Sequence, residues 1–534
     1  MTLFDLLDES ATASTRVVFP SMGQTVAFGA MWTTSARVAA WVRAHVDEGN
    51  AVATLLDTSP ECLAFFLGTM RSGRRTASLP LPPRSSSLDH YERIVRSILL
   101  QGDASLLVVD QRIVAWLPPL PIPVISFQDA VSAASAMPAA DDVSPGGELV
   151  QFTSGSTARP KGVRLSIDQI SANVSSILDR LAPEPGDGAC SWLPLSHDMG
   201  LIGMTLSSLA AGGQRYSDGG DLVLIPPEHF LRNPRLWLEV CSHHRSTITA
   251  TPDFGLGMAM RRRGSAPELE LGRLRACIVG GEPIRAETLK QFSTSLASFG
   301  FRGEAFCPSY GLAEATLGVT MVAPDERWRT VRLDRDALAS GLVTPTRDGG
   351  VVVVSSGTPL DGVTVSVDGA GRTPGAIGIE GPNVFAGYLG ACPAQGRLET
   401  SDEGFVLDGH LYVLGRADDV LVVRGRNLHA TDLEEAVEQL GPVRSGSCVV
   451  VDESPGYAVV LEAMVSRGAA LRPLGDDARR ALVDHCGVAP QRVLIVDRGV
   501  VPKTSSGKKQ RRELARRLAA GEVDTLHESR FVPS

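Results

Sequence analysis

Thr153-Ser154-Gly155-Ser156-Thr157-Ala158-Arg159-Pro160-Lys161-Gly162 is a run of hydroxyls and glycine that also carries two cations. Ahead of it, Leu149-Val150-Gln151-Phe152 alternates as a strand does. Behind it, Ile167, Ile170, Val174, Ile177, Leu178 and Leu181 recur at helical spacing, with Ser166 and Gln169 set as a capping box. The reading that follows is a loop held between a strand and a helix. Glycine lets backbone approach an anion closely, main-chain N–H groups and hydroxyls donate to phosphate oxygens, and Lys161 adds a compact positive charge. Such a loop can cradle a phosphate. An ordinary polar turn has the same composition, and no segment of the chain has the Gly-x-x-x-x-Gly-Lys-Ser/Thr form of a Walker loop.

Outward from this loop, from about residue 26 to 306, apolar runs at 51–56, 105–109 and 276–279 alternate with helical stretches. This predicts mostly parallel sheets with helices on their faces. Short strands at 351–354, 363–367 and 411–414, broken by Gly and Pro, predict a small β-rich unit. Past Asp418 the pattern changes to strand (421–423), helix (432–440), strand (447–451) and helix (478–485), so a compact α+β domain is expected there. The expected division is 1–416 and 417–534. Residues 131–147, rich in Ala, Ser, Pro and Asp, read as a surface linker.

A chain of 534 residues, 43% of them hydrophobic, exceeds what one core holds, since single cores stop growing near ~250–300 residues. No apolar run reaches the ~18 residues of a membrane span, and the acidic N-terminus lacks the basic start of a signal peptide. The eight cysteines are scattered, with no Cys-x-x-Cys pair and no clustered histidines. Reduced thiols in a cytoplasm are expected, without structural zinc. A net charge of −9 weighs against nucleic-acid binding. The cations concentrated at 503–517 read as a solvated helix face or tail.

Three further segments carry chemistry. In Pro308-Ser309-Tyr310-Gly311-Leu312-Ala313-Glu314-Ala315-Thr316, Tyr310 offers a ring to a flat base and Glu314 an oxygen ligand to a hard cation such as magnesium, which commonly bridges a carboxylate to substrate phosphates. A helix start with an exposed Glu fits equally. Gly280-Gly281-Glu282-Pro283 follows a strand, where ligands of open α/β sheets bind, although a tight turn explains it too. Asp402, with Arg416 downstream, can accept two ribose hydroxyls, and the Gly-containing loop 502–511 can bring a lysine into a distant site.

Taken in order from about Thr25 to Leu518, these segments resemble the adenylate-forming superfamily of acyl and aminoacyl activating enzymes. Residues 193–203 (Leu-Pro-Leu-Ser-His-Asp-Met-Gly-Leu-Ile-Gly), 251–254 (Thr-Pro-Asp-Phe) and 308–317 are similar to its fatty acyl-AMP ligase branch, and 333–341 to the insertion that separates this branch from acyl-CoA ligases. The resemblance implies an α/β fold: a large N-terminal domain of two α/β subdomains plus a small β-barrel-like unit, and a small mobile α+β C-terminal domain. It implies ATP and Mg2+, activation of a fatty or other carboxylic acid to an acyl-adenylate, and transfer to an acyl carrier protein. The carrier would act in trans, because the chain ends at Ser534 soon after the lysine loop. The pathway would be lipid, polyketide or lipopeptide biosynthesis.

Residue by residue, the family implies that Thr153, Ser154, Gly155, Ser156, Thr157 and Lys161 hold the triphosphate. Gly280, Gly281, Glu282, Ser309, Tyr310, Gly311 and Leu312 surround the adenine, Asp402 and Arg416 take the ribose or phosphate, and Glu314 ligates the metal. His197 lies near the acyl carboxylate, with Met199, Gly203, Pro252 and Phe254 lining the acyl pocket; a core histidine and core apolar residues are the alternative. Asp418 is the implied hinge and Lys508 the implied catalytic lysine, with Lys503 and Lys509 as competitors. Ala158, Ser196 and Ser401 depart from the family pattern without removing a charged group. The rival expectations are an acyl-CoA ligase, which differs in its acceptor thiol, and a non-catalytic nucleotide-binding protein.

Overall fold

Strands 51–54 and 104–109 are apolar on both faces because helices cover both, as a parallel sheet requires. In the computed structural model they belong to a seven-stranded sheet ordered Gly387–Tyr388, Lys161–Ser166, Glu148–Thr153, Arg75–Ser78, Ala51–Thr54, Ala104–Val109, Val124–Ser126. The structure describes residues 2–81, 88–115, 117–139, 147–153, 160–212, 220–260, 268–369, 372–391, 396–423, 426–464, 471–503 and 509–530. A second, nine-stranded sheet runs from Thr358–Pro359 through Gly318–Met321, Phe306–Gly311, Ala276–Val279, Ile248–Thr251 and Ala189–Ser191 to Asp221–Leu224, Arg16–Phe19 and Gln24–Ala27. One apolar core joins them: Val52, Val108 and Leu149 of the first sheet and Cys190, Val223 and Ile278 of the second belong to the same buried cluster.

A four-stranded antiparallel sheet, Thr364–Val367, Gly375–Glu380, Arg397–Leu407 and His410–Arg416, supplies the small β unit. Beyond the short turn Ala417–Asp419 the chain builds separate apolar clusters from residues 421 onward, around the sheet Val443–Glu453, Gly456–Ala463, Arg492–Val496, Thr525–Arg530. The segment likened to an insertion forms a hairpin, Thr330–Leu333 against Val351–Val354, enclosing the helix Arg335–Ala339, which Asp334 caps through the Ala337 N–H at 2.8 Å.

Three local expectations are corrected. The hydroxyl-rich loop does not run from a strand into a helix. Residues 161–166 form an antiparallel strand paired with Glu148–Thr153, placing Lys161 opposite Thr153, and the helix Ile167–Leu181 starts only afterwards. The sequence Lys-Gly-Val-Arg-Leu-Ser alternates well enough for a strand, but the following cap signal masked it. The cap itself is present: Gln169 N–H donates to Ser166 Oγ at 3.2 Å and Ser166 N–H to Gln169 Oε1 at 2.8 Å. The supposed linker at 131–147 begins as the last turn of the helix Phe127–Ala134, whose Ala130 and Ala134 are buried. The basic end is not simply a solvated face, because Lys509 and Arg511 are drawn in by buried carboxylates.

Helix Ile167–Leu181 ties the two sheets together through one polar residue in an apolar face. Asn173, fully buried, donates to the Gly318 carbonyl at 2.8 Å and accepts from the Gly318 N–H at 2.9 Å. Asn173→Ala strands the Gly318 N–H, while the Gly318 carbonyl keeps the longer bond from the Asn383 amide at 3.2 Å. It is expected to cost about 3 kcal/mol, measured by urea unfolding followed through tryptophan fluorescence, since all six tryptophans precede residue 417.

Candidate active site

Three parallel strands in adjacent register, Ile248–Thr251, Ala276–Val279 and Phe306–Gly311, end at one edge of the second sheet. Their extensions bring together Pro252 and Phe254, Gly280 to Glu282, and Ser309 to Leu312. Ligands of open α/β sheets bind beyond such carboxyl ends. The fit is close. A Cβ on Gly280 would lie 2.7 Å from Ser309 Oγ, and Gly281 holds φ +80°, a left-handed backbone that glycine adopts without strain. Ser309 Oγ donates to the Val279 carbonyl at 3.2 Å, and Glu282 Oε1 accepts the Phe254 N–H at 2.6 Å.

The Glu314 turn is locked from both sides. Leu312 N–H donates to the Leu317 carbonyl at 3.0 Å, and Thr316 takes φ +65°, rare for a β-branched residue. Its Oγ1 donates to the Asn383 carbonyl at 2.7 Å, which fixes that conformation. Glu314 is thereby presented to Tyr388, whose hydroxyl donates to Oε1 at 2.8 Å. Lys161 Nζ stands 5.1 Å from the centre of the same Tyr388 ring, so the lysine after the hydroxyl-rich loop and the expected metal ligand meet at one aromatic residue.

Tyr310 makes the matching contact on the other side: its hydroxyl donates to Asp402 Oδ2 at 2.6 Å, and Arg416 Nε lies 3.7 Å from Asp402 Oδ1. Burial first, and then the facing carboxylates Asp402 and Glu314, push the Tyr310 and Tyr388 phenols above their ordinary range. Both keep their protons and act as donors. Asp402 and Arg416 are cross-strand partners in the small β unit, which is how residues 14 apart in sequence share a site.

His197, half-buried, heads the π-helical segment Met199–Leu206; Leu201 N–H donates to its carbonyl at 2.8 Å. Gly203 packs on Leu317, where a Cβ would come within 2.7 Å of a Leu317 methyl, so this segment lies against the end of the Glu314 turn. Phe254 meets Trp192 edge-on at 6.0 Å, and Trp192 stacks on Phe230, giving an apolar wall beside Pro252. Asp418, in the turn Ala417–Asp419, accepts from Arg512 at 2.5 Å. Thr153 ends its strand, while Ser154, Gly155, Ser156, Thr157 and Lys508 lie outside the described residues.

The rival lysines are described. Lys509 Nζ is held by Glu434 at 2.8 Å, Glu438 at 3.0 Å and the Cys448 carbonyl at 2.8 Å. Burial alone would lower its pKa, but the two glutamates raise it, so it is a committed structural cation. Lys503 donates to Ser447 Oγ at 3.0 Å, and burial pushes it down to about 8. Tyr388 and Arg285 escaped the sequence reading, and Asp253 entered it only as part of the 251–254 motif: Tyr388 stands alone at a Gly-Tyr pair, and the other two serve only once paired in three dimensions.

Among the described residues no group of three or more His, Cys, Asp or Glu side chains is placed to hold a metal. Glu314 offers a single oxygen-rich ligand, a donor type that suits magnesium already held by phosphates. No helix among the described residues is long and apolar enough to cross a membrane.

The family model for AMP-binding enzymes matches residues 7–389, nearly the whole large domain. The chain belongs to the AMP-binding enzyme family. It is 30% identical to a candidate acyl-CoA synthetase of Caulobacter vibrioides, over 89% of this chain and 86% of that one. It is 28% identical to the long-chain-fatty-acid–AMP ligase FadD32 of Mycolicibacterium smegmatis, over 89% and 86%. A solved structure from the fatty acyl-adenylate ligases of E. coli and L. pneumophila superposes with a TM-score of 0.89 at 27% identity, covering 98% of both chains. The chain is thus an adenylate-forming ligase in fold and family.

Tyr310→Phe removes one hydrogen bond to a charged group. It is expected to weaken ATP binding about tenfold, read by titration calorimetry, with the circular dichroism spectrum unchanged.

Proposed function

We propose that this chain is a fatty acyl-AMP ligase that converts a carboxylic acid and ATP into an acyl-adenylate and pyrophosphate, then passes the acyl group to the thiol of a carrier protein. The observation that carries this reading is the convergence of Tyr310 with Asp402, and of Lys161, Tyr388 and Glu314, beside the glycine-bearing strand ends. The likeness to FadD32 and to the fatty acyl-adenylate ligase structure supports the fatty acid as substrate. The hairpin at 330–354 supports the carrier protein over coenzyme A as acceptor.

In this reading Asp402 and Arg416 hold the ribose, Gly280 to Glu282 and Ser309 to Leu312 the adenine, and Thr153 to Thr157 with Lys161 the phosphates. Glu314 would hold Mg2+, which supplies charge neutralisation at the phosphates. An acid carboxylate oxygen bonds to the α-phosphorus as the α–β P–O bond breaks and pyrophosphate departs. The attacker and target are both anionic. A cation touching each relieves the repulsion and stabilises the charge of the transition state, the role given to Lys508. The mixed anhydride then yields its acyl carbon to a thiol, with AMP leaving. His197, Met199, Gly203, Pro252 and Phe254 flank the acid. Residues 1–416 form the nucleotide and acyl domain, residues 417–534 the mobile lysine-bearing domain, and Asp418 the pivot. Seven described cysteines are unpaired and buried, which accords with a cytoplasmic setting.

Purified protein given a panel of acids with ATP and Mg2+ is expected to release pyrophosphate with fatty acids, and to load a phosphopantetheinylated carrier faster than CoA. Efficient acyl-CoA formation would refute the acceptor assignment. Lys508→Ala is expected to cut pyrophosphate release at least about 100-fold while ATP still binds; near-normal turnover would reassign the lysine.

A further inference from the structure

One guanidinium is shared by buried carboxylates from both domains. Arg285 Nε and its backbone N–H reach Asp253 at 2.8 and 3.0 Å, and a terminal nitrogen reaches the same carboxylate at 2.6 Å. The other terminal nitrogen lies 3.2 Å from Glu438 Oε2, on the helix Ala430–Glu438 of the C-terminal unit. Asp253 is 1% exposed and Glu438 4%, so neither acid can trade the arginine for water cheaply.

Both ends of this bridge lead to the site. Asp253 stands between Pro252 and Phe254, and Phe254 N–H is bound by Glu282, three residues before Arg285. At the other end Glu438 Oε1 accepts from Lys509 Nζ at 3.0 Å and from Cys448 N–H at 3.2 Å, while Oε2 accepts from Gly446 N–H at 2.8 Å. Lys509 directly follows Lys508. A continuous chain of charge contacts therefore runs from the turn beside the adenine edge, through Arg285 and Glu438, to the residue adjoining the lysine assigned to catalysis.

We propose that Arg285 is a positioning residue for the adenylating step: by bridging Asp253 and Glu438 it holds the C-terminal unit, and with it Lys509, against the edge of the second sheet assigned to the nucleotide. The inference rests on the adenylating function proposed above. It makes Arg285 selective for one half of the reaction, since a unit that pivots for thiol transfer must release this contact. A lysine in its place keeps a charge beside Asp253 but has one ammonium, which lacks the planar fork needed to serve two carboxylates at once.

Arg285→Lys is the discriminating variant, and Arg285→Ala the severe one. With Arg285→Lys, acid-dependent pyrophosphate release is expected to fall about tenfold in kcat, with KM for ATP within about twofold, as misplacement of a catalytic group predicts. Acyl transfer from chemically synthesised acyl-adenylate to the carrier thiol should be unchanged, and Arg285→Ala should lower adenylation further. Equal losses in both half-reactions, or wild-type adenylation by Arg285→Lys, would overturn the inference. A readout that needs no turnover separates it from the function itself. Proteolytic cleavage between residues 416 and 426 should speed up at least about threefold in Arg285→Lys, through greater population of the open form. If the wild-type protein adenylates no acid, the functional reading fails while this cleavage still reports on the bridge; unchanged cleavage refutes the bridge alone.

Discussion

Glu434 and Glu438 lie one helical turn apart and almost wholly out of water, at 3% and 4% exposure. Two like charges so placed cost several kcal/mol each unless cations accompany them. Lys509 and Arg511 do so, both from the chain just beyond the lysine loop. The arrangement explains why the basic end is folded inward, and it clamps one flank of the loop to the helix Ala430–Glu438. Lys503, bonded to Ser447 and facing Lys509 across an isolated β-bridge, clamps the other flank. With the flanking lysines committed to structure, the loop between them carries the one remaining lysine, Lys508. Lys508, proposed as the catalytic lysine on its motif position, falls between these two held flanks in sequence.

A second constraint operates where strands end. Neighbouring segments must come close together there, and side chains at Gly280 or Gly311 would forbid it. A Cβ at Gly311 would fall 1.8 Å from the Leu317 carbonyl oxygen, so the turn that presents Glu314 exists only because residue 311 is glycine. Sequence reading found these glycines by their place after apolar runs. It could not find the reason for Gly311, which lies in a contact with the antiparallel strand Gly318–Met321.

The legible and illegible parts divide along the same line. Periodicity exposed the helix Ile167–Leu181, the runs at 51–54, 104–109 and 276–279, and the change of texture past residue 417, because each is written in local burial. It missed the strand Lys161–Ser166, whose polar ends imitate a loop, and mistook a buried charge network for a solvated tail, because Lys, Arg and Glu look alike in sequence whether or not they meet. Of the site residues with motif context, Tyr310 and Asp402 come into hydrogen-bond contact, with Glu314 four residues beyond Tyr310. Tyr388 and Arg285 were not legible, since their significance arises from partners 74 and 153 residues away, Glu314 and Glu438.

The two tyrosines show how the site keeps its acids useful. An arginine paired face to face with Asp402 or Glu314 would occupy both oxygens and cancel the charge that the proposed ribose or divalent cation would meet. A phenol that retains its proton supplies one hydrogen bond, fixes the rotamer, and uses one of the roughly four lone-pair sites a carboxylate offers. Burial and the facing acids raise both phenols, so this donor role persists across the physiological range. Arg416 stands back from Asp402 at 3.7 Å and is half exposed, too far for a close bidentate pair. Orientation is therefore supplied by neutral donors and charge by groups set at a distance, the division of labour that the proposed reaction of two anionic reactants requires.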